Sequence, residues 1–114
     1  MKPEKIANRD CRSYVQKRKP FDGSNMWGAW IPSTVTKGEH HYTVFSYGHH
    51  FPVFIYAGGR WFENEDRYSQ TTSKHRSQAH PHTDTVKLNT DIMCRLSTVG
   101  ITRLNQMRVL GDIA

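Results

Sequence analysis

Two neighbouring runs of aromatic and β-branched residues in the middle of the chain leave few alternatives to paired strands. The runs are residues 42–47 (YTVFSY) and 51–57 (FPVFIYA), and such residues suit a pleated, half-buried surface. Only residues 48–50 separate them, and so short a connection joins antiparallel neighbours, because parallel strands need a long crossover. The sequence therefore predicts a β-hairpin at the centre of the fold.

A second hairpin follows directly. Gly58 and Gly59 precede residues 60–63, and two successive glycines suit a two-residue turn with positive φ at both positions. Residues 26–31 (MWGAWI) are also apolar and aromatic, and they end at Pro32. The central part of the chain is therefore predicted to form a small antiparallel meander of three to four strands.

Helical spacing is found in the N-terminal part. Cys11, Tyr14 and Val15 recur at the i, i+3, i+4 positions of one buried helical face, which predicts a helix over residues 9–18. Pro20 would stop that helix, and the cations in its last turn suit the negative end of the helix dipole. Those cations therefore have a structural explanation as well as a functional one.

Toward the C-terminus, residues 86–88 predict a short last strand. Asn89 or Thr90 can cap the following helix, which ends at Gly100, and the apolar spacing beyond it allows a second helix. The predicted fold class is α+β, with an N-terminal helix, a small antiparallel three- to four-stranded meander and one or two C-terminal helices.

A single domain is predicted for residues 1–114, because this length supports one hydrophobic core. Residues 1–7 are expected to be flexible, and residues 64–82 are expected to form a long polar loop. A polar segment of that length inside a small domain is usually either mobile or functional. The loop is therefore the predicted functional surface.

The charge of the chain favours an anionic partner. Lys and Arg number 16 and Asp and Glu number 10, and the net charge of +6 attracts polyanions such as nucleic acid. Many small proteins are basic for solubility alone, and that interpretation stays open. The apolar runs are far shorter than the ~20 residues that span a bilayer, so we expect no membrane partner and a cytoplasmic location. Cys11 and Cys94 are expected to be buried thiols.

A resemblance to a known group of proteins is carried by three segments, namely FDGSN at residues 21–25, YTVFSYGHHFPVFIY at residues 42–56 and RWFENEDRYSQTTSKHRSQAHP at residues 60–81. Over about residues 8–82 the chain resembles small bacteriophage-encoded proteins of unknown function, which have a YSYGxHFP strand pair and a YSxTTSKHxSQ segment. Phe45 and Ser46 depart from that pattern ahead of Tyr47. The resemblance implies a phage or prophage origin and a shared fold, and it brings no mechanism with it.

The predicted loop is rich in groups that bind phosphate. Hydroxyls, cations and an imidazole occupy eight successive residues, so donors for phosphate oxygens stand at nearly every position. Pro52 belongs at a strand start or on a sheet edge, which places two histidines at the rim of the sheet. Two tyrosines flanked by polar residues are expected at the surface. In the alternative interpretation the hydroxyls only cap turns and the cations are only solvated. The predicted nucleic-acid or partner-binding residues are Tyr47, His49, His50, Tyr68, Thr71, Thr72, Ser73, Lys74, His75, Arg76 and Gln78.

Three other functions of these residues are considered, namely a histidine metal site, Mg²⁺ binding and RNA cleavage. Seven histidines invite a metal site, but their spacing matches no closed zinc motif, and no metal or other cofactor is predicted. The acidic cluster Glu63, Glu65 and Asp66 is expected to be a solvated turn, with Mg²⁺ binding as the alternative. A metal-independent ribonuclease needs only a base, an acid and a cation, and the candidates for those roles are His49 or His50, His75, and Lys74 or Arg76.

The sequence thus predicts a small, non-catalytic phage accessory protein in the cytoplasm of an infected bacterium. Its expected partner is nucleic acid or a host nucleic-acid complex, bound through the basic, histidine-containing loop. Two alternatives stay open. One is a phage inhibitor of a host defence machine, for example an anti-CRISPR protein that acts by protein–protein binding, and the other is the small metal-independent ribonuclease.

Overall fold

The computed structural model describes residues 3–49, 51–66 and 70–107, with the backbone alone for residues 70–72. Within these ranges the strands are β1 Glu4–Lys5, β2 Phe21–Asp22, β3 Met26–Pro32, β4 His40–Ser46, β5 Pro52–Ala57, β6 Arg60–Asn64 and β7 Val86–Leu88. The helices are α1 Arg12–Gln16, α2 Gln70–Ala79, α3 Thr90–Val99 and α4 Ile101–Gln106, and a 3₁₀ turn at Asn8–Asp10 precedes α1. None of the helices in these ranges has the length and apolar character needed to cross a membrane.

The strands form one mixed sheet, and the predicted fold class is wrong in this respect. Seven strands in the described residues lie in chain order from β1 to β7, instead of a small antiparallel meander of three to four. The five strands from β2 to β6 are antiparallel neighbours, but β1 pairs with β2 and β6 pairs with β7 in parallel. The meander is therefore only the middle of a wider sheet, whose edges are short parallel strands.

Each parallel pair is joined by a helical crossover, and the two crossovers place their helices on the same side of the sheet. The segment with α1 connects β1 to β2, and α2 connects β6 to β7. Because β1 and β6 run in the same direction and both crossovers step the same way across the sheet, one handedness puts both helices on one face. The surface formed by residues 9–19, which include α1, and by α2 is called here the α1–α2 face.

Two hydrophobic clusters lie on the two sides of the sheet. Tyr42 and Val44 of β4 pack with Cys11 and Val15 at α1 and with Ala79 at the end of α2. On the opposite side, residues of β5 and β6 pack with buried residues of α3 and α4, and these are Ile55, Ala57, Phe62, Met93, Leu96 and Leu104. Successive side chains of a strand point to opposite sides of the sheet, and each side is covered by helices. For this reason β4 and β5 are almost entirely buried.

Several local predictions are confirmed. Gly58 and Gly59 form the turn between β5 and β6 with φ values of 59° and 78°, the sign that a two-residue hairpin requires. The side chain of Asn89 caps α3 by accepting a hydrogen bond from the Ile92 N–H, and the helix ends at Gly100 with φ of 87°. A second C-terminal helix, α4, follows as expected. Each of these features depends on residues close together in the chain.

Other local predictions are wrong. The predicted helix over residues 9–18 is a 3₁₀ turn followed by the five-residue α1. Residues 4–5 form the edge strand β1 by pairing with β2, and the flexibility expected of residues 1–7 stays a prediction. The polar loop predicted for residues 64–82 contains the ten-residue helix α2. Cys11 is buried as expected, and Cys94 is only partly buried.

Gly28 of β3 is required where the sheet meets two buried aromatic rings. A Cβ atom at this position would lie 2.4 Å from the Tyr42 hydroxyl and 2.6 Å from Cε1 of Phe21. Both rings are buried, so neither can move away without disturbing the core. We expect Gly28→Ala to lower the free energy of unfolding by about 1–3 kcal/mol, measured by urea denaturation.

The matched control is Gly38→Asn. Gly38 has φ of 83° and open space around it, and asparagine tolerates this conformation better than other residues with a Cβ. No atom would meet the new side chain, so only the positive φ strains this variant, and we expect a loss of about 1 kcal/mol or less, below that of Gly28→Ala. Equal losses of unfolding free energy in the two variants would contradict the close approach of Gly28 to the Tyr42 and Phe21 rings.

Candidate nucleic-acid interface

Helix α2 carries most of the predicted binding residues and separates them into an outer and an inner set. Lys74 and Ser77 are exposed, whereas His75 and Ala79, four residues apart on one helical side, are buried. Ser73, Arg76 and Gln78 are partly buried. His50, Tyr68 and the side chains of Thr71 and Thr72 lie outside the described residues. The residues predicted to line one loop therefore do not share one surface.

His75 is an anchor of α2 on the sheet. Its side chain is only 2% exposed, and its Nδ1 lies 2.7 Å from the hydroxyl of Ser46 at the end of β4. Ser46 is itself buried. The imidazole thus joins the middle of α2 to the sheet, and it does not reach solvent as the binding-loop prediction required.

The hydrogen bonds of the neighbouring Asn8 indicate which ring nitrogen of His75 carries the proton. The Asn8 Oδ1 accepts from the Ser24 backbone N–H, so its Nδ2 is the donor that reaches Oδ1 of Asn25 at 2.7 Å and faces Nε2 of His75 at 3.4 Å. An N–H facing Nε2 requires that nitrogen to accept, which leaves the proton on Nδ1 for donation to Ser46. Both ring nitrogens are engaged, so neither serves as a general base here.

Tyr47 is exposed, as the sequence predicts. It is 52% exposed, and its ring lies over the ring of His75 with a centroid separation of 5.5 Å. Its φ of 65° lies in the left-handed region, where a non-glycine residue is uncommon, and its backbone N–H donates to Asn25. This aromatic surface therefore borders α2 in a fixed position.

His49 is exposed but lies away from α2. Its ring packs against Trp27 and Phe45, at 5.3 Å and 5.0 Å between centroids. These two side chains belong to the sheet side opposite His75, because they alternate with Met26 and Ser46 along their strands. The structure does not bring His49 together with His75, so this histidine pair of the ribonuclease hypothesis does not form.

A second polar cluster holds the last turn of α2, and its centre is the buried Glu63 of β6. Arg76 Nε lies 3.7 Å and His80 Nε2 lies 3.5 Å from the Glu63 carboxylate, which also accepts from the Thr85 hydroxyl at 2.6 Å. Lys87 approaches it to 3.9 Å. Glu63 is therefore an internal counter-ion, and the prediction of a solvated turn is wrong for this residue. Among the described side chains, no group of three His, Cys, Asp or Glu is arranged to hold a metal ion.

His80 in this cluster is also fully engaged. Its Nδ1 accepts from the His82 backbone N–H at 3.0 Å, and its Nε2 faces Glu63. Arg76 donates to the Asn64 carbonyl in addition to its contact with Glu63. The arrangement stabilises the end of α2, and it leaves no free acid–base pair at this point of the cluster.

Direct hydrogen bonds join α1 to α2. Arg12 Nε donates to the His80 carbonyl at 3.0 Å, and its NH2 group donates to the Ser77 carbonyl. Gln16 of α1 donates to the carbonyl of Pro81 at 3.2 Å. Arg12 thus satisfies carbonyls at the C-terminal end of α2, where the negative end of the helix dipole favours a cation. Two segments far apart in the chain become one surface.

This surface carries the whole net charge of the protein. Residues 9–19 and 70–79 contain seven cations and one acid, and the rest of the chain contains nine of each. Arg12 and Arg76 are committed to the contacts described above. The remaining cations of the α1–α2 face are exposed or partly exposed, and they are Arg9, Lys17, Arg18, Lys19 and Lys74.

Aromatic side chains form a row across the sheet beside these cations. The register of β3 to β6 places Trp30, Tyr42, Tyr56 and Trp61 next to one another. Ring centroids are 5.6 Å apart for Trp30 and Tyr42 and 5.2 Å apart for Tyr56 and Trp61, and Tyr42 also contacts Trp61 at 6.2 Å. The guanidinium of Arg18 lies 4.5 Å from the centre of the Tyr56 ring. A cation over an aromatic face is a favourable contact, so the row and the basic segment are held together.

The sequence interpretation missed part of this site. Lys17 and Trp30 are absent from the predicted binding residues, because the charges at residues 17–19 have an explanation as a helix end and most aromatic residues are needed for the core. The difference in net charge between these two segments and the rest of the chain is visible in the sequence. Only the crossover geometry shows that the two segments are neighbours.

Comparisons with protein-family models, with curated proteins and with solved structures found no match to this chain. The resemblance to phage proteins, with the origin that it implies, therefore stays a prediction.

The buried His75 predicts a pH dependence of stability. Burial, together with the neighbouring Lys74 charge, lowers the pKa of His75 from 6.5 in the folded protein. The unfolded chain therefore takes up the proton first, and the folded state loses stability as the pH falls below about 6.5. His75→Asn keeps an N–H near the position of Nδ1 and removes the titrating ring. We expect a smaller acid-side loss in this variant, measured by urea unfolding at about pH 7.5 and about pH 5.5.

The control for this experiment is His82→Asn. His82 is exposed and has φ of 58°, a conformation that asparagine tolerates, so this variant should keep the acid-side loss of the wild type. Some loss should persist in His75→Asn, because burial also lowers the pKa of His41. If His75→Asn kept the full loss, the assignment of a buried neutral imidazole would be wrong.

Glu63 is expected to matter for stability more than its exposed neighbour. Glu63→Gln removes the negative charge that faces Arg76 and leaves a partly buried guanidinium without its counter-ion. We expect the free energy of unfolding to fall by about 3 kcal/mol, whereas Glu65→Gln, at an exposed site, should change it by less than about 0.5 kcal/mol. Urea denaturation of both variants at neutral pH measures the difference, and similar values would contradict the buried-counter-ion role.

Proposed function

We propose that this protein binds nucleic acid without catalysis, through the exposed cations of the α1–α2 face. The observation that carries the proposal is the confinement of the net charge of +6 to two segments that pack against each other. A chain that is basic for solubility alone would have its excess cations spread over the surface. A surface with a large excess of cations instead attracts the phosphate backbone of a nucleic acid.

The arrangement of the cations supports this function. Lys74 lies on the outer side of α2, and Lys17 and Lys19 lie at the end of α1. Arg12 does not face solvent as a free charge, because it links the two helices. The phosphate-contacting groups would thus stand on a rigid base, which keeps their spacing fixed and lowers the entropy lost on binding.

The engaged histidines support a binding role over cleavage. His75 and His80 use both ring nitrogens for contacts within the protein. General acid–base cleavage of RNA needs a nitrogen or carboxylate within reach of the substrate. A phage accessory role, with nucleic acid or a host nucleic-acid complex as the partner, stays part of the proposal.

A double substitution tests the proposed surface. In Lys17→Gln/Lys74→Gln two exposed cations of the α1–α2 face are lost, one from each segment. Each phosphate contact contributes about 0.7–0.9 to the steepness with which log affinity falls with log salt concentration. Loss of two contacts should therefore make this slope less negative by about 1.5. Fluorescence anisotropy with labelled oligonucleotides at several salt concentrations measures it.

The matched control is Lys37→Gln/Arg95→Gln, which removes the same charge elsewhere. Lys37 lies in the loop between β3 and β4, and Arg95 lies on α3, where it pairs with Asp91. The salt slope of this variant should equal that of the wild type. Equal losses in both double variants would indicate a response to net charge alone, and no binding by the wild type at low salt would overturn the proposal.

A further inference from the structure

The edge of β3 borders an open cleft at one end of the α1–α2 face. The short β2 pairs only with Trp27 and Gly28 of β3, so among the described residues no strand covers this edge from Ala29 onward. The cleft has a volume of about 370 Å³, and its lining includes Pro20, Phe21, Asp22, Ala29 and the two tryptophans Trp27 and Trp30. Its size and apolar lining fall within the range of sites for small organic groups.

Trp30 offers an aromatic surface at this cleft. It is 42% exposed, although its indole packs against Tyr42 with a centroid separation of 5.6 Å. Its Nε1 donates to the Arg18 carbonyl at 2.9 Å, which fixes the orientation of the ring. The indole therefore has a fixed orientation, a satisfied N–H and a partly exposed apolar body, which is the character of tryptophans found at binding interfaces.

Cations lie beside this aromatic surface. The Arg18 carbonyl is bonded to Trp30, and the Arg18 guanidinium lies over Tyr56. Lys17 and Lys19 line a second, polar hollow next to it, together with Ser13, Tyr14 and Glu4. The chain from residue 17 to 20 therefore joins a basic ridge directly to the apolar cleft.

We infer that the cleft receives an unpaired base of single-stranded nucleic acid, which stacks on Trp30 while the phosphates follow residues 17–19. This inference rests on the proposed function and names its substrate class. Base–aromatic stacking next to a positively charged path is how single strands are held without sequence-specific readout. Asp22 in the cleft repels phosphate and accepts from base N–H groups, so the base and not the backbone points inward.

A duplex cannot use the cleft in this way. Its bases are already stacked and paired, and exposing one costs unstacking energy. Duplexes would therefore contact only the cations of the α1–α2 face. The inference thus predicts tighter binding of single strands than of duplexes by the same protein, with the difference located at Trp30.

The experiment compares Trp30→Ala with the wild type on strands of about 12 nucleotides and on the matching duplexes. Mixed-sequence DNA and RNA are both used as labelled probes in fluorescence anisotropy. We expect the wild type to bind single strands tighter, and Trp30→Ala to lose about tenfold in single-strand affinity with unchanged duplex affinity. Val35→Ala, at an exposed apolar residue away from the cleft, should leave both affinities unchanged.

Trp30→Tyr provides a second measurement that does not depend on the folding of the alanine variant. Tyrosine keeps an aromatic face, so single-strand affinity should be largely retained. Because Trp30 is more exposed than Trp61 and Trp27, it should account for most of the fluorescence quenching by an unlabelled strand. The quenching should therefore fall sharply in Trp30→Tyr, with a remainder from Trp27, which also lines the cleft.

The outcomes separate the inference from the proposed function. Equal binding of single strands and duplexes, unchanged single-strand affinity in Trp30→Ala, or undiminished quenching in Trp30→Tyr would overturn base stacking at the cleft. If binding then still depended on Lys17 and Lys74, the proposed function would stand. Absence of binding to every probe would overturn both.

Discussion

The handedness shared by the two βαβ crossovers determines the rest of this structure. It brings α1 and α2, more than fifty residues apart in the chain, onto one side of the sheet. Once there, Arg12 can donate to the carbonyls at the end of α2, and the two basic segments form one surface. With either helix on the other side, the charges would be divided between two faces and the aromatic row would lack its basic neighbour.

The features that the sequence predicts well are those encoded by neighbouring residues. The glycine turn after β5 and the Asn89 cap of α3 each involve only a few consecutive positions. The parallel edge strands are different, because β1 and β2 contribute two residues each and their pairing depends on a partner far along the chain. Two residues carry no detectable periodicity, so the width of the sheet could not be read from the pattern.

Helix α2 shows why the candidate site was only partly predictable. Its sequence, QTTSKHRSQA, has alanine as its one apolar residue, so it lacks the apolar stripe that predicts a helix. The inner side is held instead by His75 on Ser46 and by Arg76 on Glu63. A polar residue facing the sheet looks the same in sequence as a polar residue facing solvent. The outward Lys74 could therefore be predicted, and the inward His75 could not.

The polar inner side of α2 also has an evolutionary consequence. Apolar packing tolerates many substitutions, because any side chain of similar volume fills the space. A hydrogen bond between one imidazole and one hydroxyl, or between one guanidinium and one carboxylate, accepts far fewer replacements. Positions 46 and 75, and positions 63 and 76, should therefore change together among related chains, although each pair is separated by many residues.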